Sequence, residues 1–139
     1  PRDAMLSAYE YGQRSIAKGR PNFFSRLTNF AESLDFMADY VLIWKDWMNE
    51  KNVLTARYED LLTNYDSEME RLLAYLDLDA ADEKFKAVIE EYRPGKADAA
   101  QQGLHFFKGK IGRYKEAYTN AEQAQMQEHF GEYLQDMGY

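Results

Sequence analysis

The segment Val53-Leu54-Thr55-Ala56-Arg57-Tyr58 decides the fold class that the sequence predicts. It is short, contains β-branched residues and lies between polar segments, which is typical of a β-strand. A single strand leaves its backbone N–H and C=O groups unpaired, so it needs neighbours in a sheet. Residues 1–139 hold no good second strand, so we expect the rest of the sheet to lie upstream. The sequence therefore predicts an α/β fold.

The rest of the chain shows helical patterns. Residues 4–18 predict a helix that ends at Gly19, with Pro21 as a stop signal beyond it. Residues 22–28 predict a loop. In the last helix Thr119 is the expected N-cap and Glu122 the N3 partner of a capping box.

Each predicted helix has an apolar stripe that we expect to pack against a core. In the helix that follows Tyr65, Asp66 or Ser67 is the expected cap, with Glu70 completing a capping box. The stripes are Phe36, Tyr40, Ile43, Trp44 and Trp47; Met69, Leu72, Leu73 and Leu76; Phe85, Val88, Ile89 and Tyr92; and Met126, Phe130, Tyr133, Leu134 and Met137.

Composition limits the function classes. A chain of 139 residues suits one domain, and its net charge of -7 argues against general nucleic-acid binding, which needs a basic surface. There is no cysteine, which excludes disulfides and thiolate metal sites and fits a cytoplasmic location. Two separated histidines do not suggest a metal site, and the apolar runs are too short to span a membrane.

The segment Phe106-Phe107-Lys108-Gly109-Lys110-Ile111-Gly112-Arg113-Tyr114-Lys115 contains two glycines, four cations and no acid. Glycine lets backbone approach a ligand closely, and successive N–H groups beside cations form a concavity for anions. The sequence therefore predicts a phosphate ligand here. A surface turn with solvated lysines gives a similar pattern and stays open as an alternative.

Four motifs, in order, resemble the C-terminal half of the sulfotransferases that use 3′-phosphoadenosine-5′-phosphosulfate (PAPS). That family typically reads R-x-P-R-D-x-x-x-S, Y-E-D-L, R-K-G-x-x-G-x-W-K-x-x-F-T, and a terminal helix ending in L-G-Y. The corresponding residues here are Pro1-Arg2-Asp3 with Ser7, Tyr58-Glu59-Asp60-Leu61, Lys108 to Lys115, and Met137-Gly138-Tyr139.

The resemblance implies a P-loop-kinase-like sulfotransferase fold, with a parallel sheet covered by helices on both faces. Residues 1–139 would be the mostly helical C-terminal part of a single domain whose N-terminal part is absent. The complete enzyme would transfer a sulfuryl group from PAPS to a hydroxyl or amine of a small-molecule or glycan acceptor. We expect the fragment alone to be inactive, because the family's phosphosulfate loop and catalytic base precede Pro1.

The resemblance also assigns binding residues. Ser7, Lys108 and Gly109 match positions that hold the 3′-phosphate of the nucleotide, and Tyr58 matches the residue that packs against adenine. Phe107 stands where the family has arginine, which removes a bidentate phosphate donor.

Lys110 and Arg113 are the cations that could replace the missing arginine, although neither matches it by position. No catalytic residue is assigned within the chain. His129 is expected to be structural, and His105 lies near the loop without an assigned role.

Two other functions remain open. A non-enzymatic helical interaction module would show an exposed aromatic face, which the helix with Trp44 and Trp47 can offer. A nucleotide kinase relative would need a Gly-rich Walker loop ending in Gly-Lys-Ser/Thr, and residues 1–139 contain none. The oligomeric state is left open.

Overall fold

The computed structural model describes residues 1–95 and 109–139, and within these ranges the regular structure is helical. None of the described helices is long and apolar enough to cross a membrane. The α-helices are α1 (Arg2–Ala17), α2 (Phe30–Met48), α3 (Tyr58–Thr63), α4 (Tyr65–Tyr75), α5 (Glu83–Glu91), α6 (Tyr114–Ala117) and α7 (Asn120–Asp136), and Phe23–Arg26 is a 3₁₀-helix.

The predicted strand is wrong, and with it the α/β fold class for the described residues, which contain no strand. Residues 53–57 have no regular structure, and α3 begins at Tyr58. Side chains of α4 take the place of a neighbouring strand. The Tyr75 hydroxyl donates to the Asn52 carbonyl at 2.6 Å, and the Arg71 guanidinium donates to the Thr55 carbonyl at 2.6 Å. β-Branched composition alone does not make a strand without a pairing partner.

The chain divides into two compact units. The first comprises Pro1–Lys51 and Lys110–Tyr139, and the second comprises Asn52–Gly109. The first unit contains the core, which α1, α2, α7 and the residue after the 3₁₀-helix build together. Its buried members are Met5, Leu27, Leu34, Phe36, Met37, Val41, Met126, Phe130, Tyr133 and Leu134.

In the first unit, α1 packs closely against the 3₁₀-helix at Gly12. A Cβ atom at Gly12 would lie 2.2 Å from the Phe24 carbonyl oxygen, so only glycine allows this approach. The Asn22 side chain caps the 3₁₀-helix through the Phe24 N–H and donates to the buried Ser15 hydroxyl at 2.8 Å. The loop predicted over residues 22–28 is therefore a short helix fixed onto α1.

The buried face of α2 differs from the predicted stripe. Phe36 is buried and Trp44 packs against the core, but Ile43 and Trp47 are 48% and 60% exposed. The face that packs inward instead carries Leu34, Met37, Val41, Trp44 and Met48. Because α2 is apolar around much of its circumference, periodicity did not determine which face is buried.

The prediction for the last helix, α7, is confirmed. The Thr119 hydroxyl accepts from the Glu122 N–H, and the Glu122 carboxylate accepts from the Thr119 N–H, which is a capping box. Its predicted stripe faces the core, with Met126, Phe130, Tyr133 and Leu134 buried and Met137 packed against them.

In the second unit, α4 begins at Tyr65 without a side-chain cap, so the predicted box of Asp66 or Ser67 with Glu70 is wrong. Of its predicted stripe, only Leu73 is buried. Arg93 instead ties the start of α4 to the end of α5 through Asp66 and Glu90, at 2.6 Å each. These ion pairs raise the pKa of Arg93 and lower that of Asp66. The Tyr65 hydroxyl adds a hydrogen bond to the Ile89 carbonyl at 2.8 Å.

We expect Gly12→Ala to lower the free energy of unfolding of the first unit by about 1–3 kcal/mol, because the obstructing atom is backbone and cannot rotate away. Urea unfolding followed by tryptophan fluorescence measures this, since both tryptophans lie in α2. Gly131→Ala in α7 is the matched control. Its Cβ would meet only the flexible Gln127 amide at 2.7 Å, so we expect no loss and a gain of up to about 1 kcal/mol. Equal midpoints for the two variants would contradict the Gly12 contact.

Candidate functional site

The Asp3 carboxylate holds the segment that follows Lys110. One oxygen accepts from the Gly112 N–H at 2.5 Å, and the other accepts from the Tyr114 N–H at 2.9 Å. Gly112 has a φ of 78°, a left-handed conformation that favours glycine and turns the chain at this point. Two of the N–H groups of the predicted anion-binding loop are thus bound to a carboxylate of the protein itself.

The Glu10 carboxylate binds the guanidinium of Arg113 in the same segment. The side chains are only 23% and 13% exposed, so this ion pair is partly desolvated. Glu10 also lies 3.9 Å from Arg14. The Arg113 guanidinium is therefore engaged in an ion pair within the protein. Of the two cations considered as replacements for the family arginine, only Lys110 is exposed.

Aromatic groups pack around these polar contacts. The Arg2 guanidinium lies 4.4 Å from the centre of the Tyr114 ring, which itself packs against the core. Burial raises the pKa of Tyr118, and the carboxylates of Glu122 and Glu10 raise it further. The phenol is therefore neutral near pH 7 and adds no charge beside Glu10.

Ser7 lies on the face of α1 that contacts this segment. Residues 3, 7 and 10 of an α-helix share one face, and Asp3 and Glu10 both bind residues 112–114. Ser7 therefore lies between two anchors of the loop, and it is exposed. Within the first unit the structure thus brings together Ser7 and the segment that Lys110 opens, two parts separated by more than 100 residues.

The remaining predicted residues of the loop are only partly described. Lys108 lies outside the described residues, as do Phe107 and His105. Gly109 is exposed and has a φ of 56°, and Lys110 is exposed as well. Among the described residues, the N–H groups of Lys110 and Ile111 have no hydrogen-bond acceptor, unlike those of Gly112 and Tyr114. The Arg113 N–H, between the two held groups, has no acceptor among them either, so within residues 109–115 the adjacent N–H groups without an acceptor include those of Lys110 and Ile111.

Tyr58 lies in the second unit and is 49% exposed. It was expected at the carboxyl end of a strand, but it is the first residue of α3. The adjacent carboxylates Glu59 and Asp60 lie in the first turn of that helix, where the helix dipole favours negative charge. The Tyr58 ring is thus accessible to solvent at the start of α3.

The described residues offer no site for a metal ion. Within residues 1–95 and 109–139, no group of three or more histidines and carboxylates is placed to hold one. His129 is exposed on α7 and lies 6.3 Å from the Phe130 ring, edge to face. This ring contact gives His129 no catalytic partner.

Sequence reasoning did not assign roles to Asp3 and Glu10. Two features of the sequence could have indicated these roles. Their spacing from Ser7 places all three residues on one helical face, and the acid-free loop of four cations needs carboxylates from elsewhere in the chain.

We expect Glu10→Gln to lower the free energy of unfolding by about 1–3 kcal/mol, because it leaves the Arg113 guanidinium without its charged partner in a partly buried position. Glu132→Gln is the matched control. Glu132 pairs with Lys45 but is 82% exposed, so its loss should cost about 0.5 kcal/mol or less. Urea midpoints measure both, and a Glu10 variant as stable as the control would refute the anchoring role.

The chain is 25% identical to sulfotransferase 6B1 of Danio rerio over 141 residues, which cover 92% of the chain and 47% of that protein. The chain thus spans about half the length of the curated relative it matches. No solved structure matches it. The family model of the sulfotransferase domain matches residues 1–138, and the chain therefore belongs to the sulfotransferase domain family.

Proposed function

We propose that residues 1–139 form the nucleotide-binding part of a single sulfotransferase domain. The complete protein would transfer a sulfuryl group from PAPS to a hydroxyl or amine of a small-molecule or glycan acceptor. The observation that carries the proposal is the placement of Ser7 between Asp3 and Glu10, the two residues that anchor the glycine- and cation-rich segment. The family match over residues 1–138 supports the class of reaction.

The proposed ligand group is the 3′-phosphate of the nucleotide. The Ser7 hydroxyl and the backbone N–H groups around Gly109 and Lys110 would donate to its oxygens, and the ammonium groups of Lys108 and Lys110 would balance its charge. Donors fixed on a folded segment lose little freedom when they bind an anion, and hydrogen bonds to charged oxygens are the stronger kind. No metal is needed for this recognition.

The proposed role of Tyr58 is to stack against the adenine ring. Its ring is half exposed, as a stacking surface must be before a ligand arrives. A base stacked on an aromatic side chain contributes about 1–3 kcal/mol.

In the transfer itself, a base removes the proton of the acceptor hydroxyl or amine as that oxygen or nitrogen bonds to sulfur. The bond from sulfur to the bridging phosphate oxygen breaks, and a lysine neutralises the charge left on that phosphate. Such catalysis depends on positioning and electrostatics. We assign neither group within residues 1–139, so we expect the 139-residue chain to bind nucleotide without measurable turnover.

A second candidate function is a non-enzymatic interaction module. The observation that favours it is the exposed apolar side of α2, where Leu42 and Trp47 are 63% and 60% exposed. This function requires no nucleotide, so a nucleotide titration separates the two candidates.

We expect Tyr58→Ala to weaken binding of adenosine 3′,5′-bisphosphate to the complete protein by about 1–3 kcal/mol. Tyr92→Ala is the control, because Tyr92 is an even more exposed tyrosine of the same unit, at 66%, with no assigned contact to the ligand. Isothermal titration calorimetry measures both. Wild-type affinity in Tyr58→Ala would remove Tyr58 from the site, and wild-type protein that binds no bisphosphate would overturn the proposed function.

We expect Phe107→Arg to tighten bisphosphate binding in the complete protein by about 1.5–3 kcal/mol, because it restores a charge-assisted donor that Arg113 cannot supply while it pairs with Glu10. Phe107→Leu is the control that removes the ring without adding charge. The same titration applies, and an arginine variant that binds no better than the leucine variant would show that another cation already serves the phosphate.

A further inference from the structure

We propose that Asp3 is a positioning residue for phosphate recognition. By holding Gly112 and Tyr114, it would fix the preceding backbone and Lys110 in the conformation that receives the 3′-phosphate beside Ser7. This inference rests on the proposed function and deepens it, because it assigns selectivity for the 3′-phosphate to a residue that does not touch the ligand.

The geometry gives Asp3 a specific task. Its two carboxylate oxygens serve two N–H groups that are two residues apart, so the carboxylate clamps one short stretch of backbone from both ends. Gly112, with its positive φ, lies at one of these ends. An asparagine at this position offers one acceptor oxygen and would turn an NH₂ group toward the other N–H.

The clamp also divides the loop into two parts. The N–H groups of Gly112 and Tyr114 are used by Asp3, whereas those of Lys110 and Ile111 have no acceptor among the described residues. The Arg113 N–H lacks an acceptor as well, but the Arg113 side chain is paired with Glu10, so the phosphate is placed at the adjacent N–H groups of Lys110 and Ile111. Asp3 then supports the site without competing for the same donors.

Hydrogen-bond donors stabilise the negative charge of the Asp3 carboxylate. Both oxygens accept backbone hydrogen bonds, and the Arg2 guanidinium lies over the ring of Tyr114, whose N–H is one of the donors. A carboxylate in this setting repels an approaching phosphate less than an exposed one would. An acidic residue whose two oxygens hold backbone can therefore lie beside the proposed phosphate site.

The test compares the affinities of the complete protein for adenosine 3′,5′-bisphosphate and adenosine 5′-monophosphate. These ligands differ only in the 3′-phosphate, so the ratio of their dissociation constants reports its recognition. We expect Asp3→Asn to reduce that ratio roughly tenfold, as losing one charge-assisted hydrogen bond would do, with the monophosphate affinity unchanged. Asp3→Glu keeps both acceptor oxygens and should recover part of the ratio.

Asp39→Asn is the control for charge, since Asp39 is exposed on α2 of the same unit and forms no ion pair with the described residues 109–115. It should leave the ratio unchanged. Urea midpoints of every variant report folding separately, and if Asp3→Asn does not fold, the ratio in Asp3→Glu decides between the outcomes.

Three outcomes would overturn the positioning role. A merely structural Asp3 would lower the urea midpoint and leave the ratio intact. An Asp3 that competes with phosphate would give an Asn variant that binds the bisphosphate more tightly. A wild-type protein that does not distinguish the two nucleotides would refute the proposed function, and the positioning role with it.

Discussion

The carboxylate of Asp3 makes the contact on which the arrangement of the candidate site depends. It joins the first turn of α1 to Gly112 and Tyr114, which are 109 and 111 residues further along the chain. Closing so long a loop costs conformational entropy, which the packing of the first unit must offset. The contact satisfies two backbone donors and brings a negative group to a segment rich in cations. Glu10, about two helical turns further along α1, makes a similar contact by binding Arg113.

Helix α1 is fixed from two nearly opposite sides. On one side residues 3, 7 and 10 face the loop, and on the other Met5, Gly12 and Ser15 are buried against the core and the 3₁₀-helix. Gly12 allows backbone to approach so closely that the helix cannot easily shift along its axis. Ser7 is consequently held in place without a hydrogen bond of its own among the described contacts. Rigid support of this kind is what a binding residue on a helix surface requires.

The parts that sequence reasoning predicted correctly are those with local causes. Thr119 caps α7 because the capping box needs only residues three positions apart. The strand predicted over residues 53–58 was wrong because strand formation depends on a distant partner, and α4 side chains bind the carbonyls of Asn52 and Thr55 instead. The buried face of α2 was wrong because the helix is apolar on several sides. In the site, the motif resemblance assigned Ser7, which stays a prediction, whereas the contacts of Asp3 appear only once the fold brings residue 3 beside residue 112.

The phosphate site that we propose combines Ser7 with the loop that Asp3 and Glu10 hold against α1. The most direct measurement is a nuclear magnetic resonance titration of isotope-labelled protein, first with adenosine 3′,5′-bisphosphate and then with adenosine 5′-monophosphate. We expect the amide shifts of Ser7, Gly109 and Lys110 to respond to the bisphosphate alone, and the amide of Gly112 to stay protected from solvent exchange with either ligand. Bisphosphate-specific shifts confined to residues away from this face, such as those around Trp47, would contradict the proposed site.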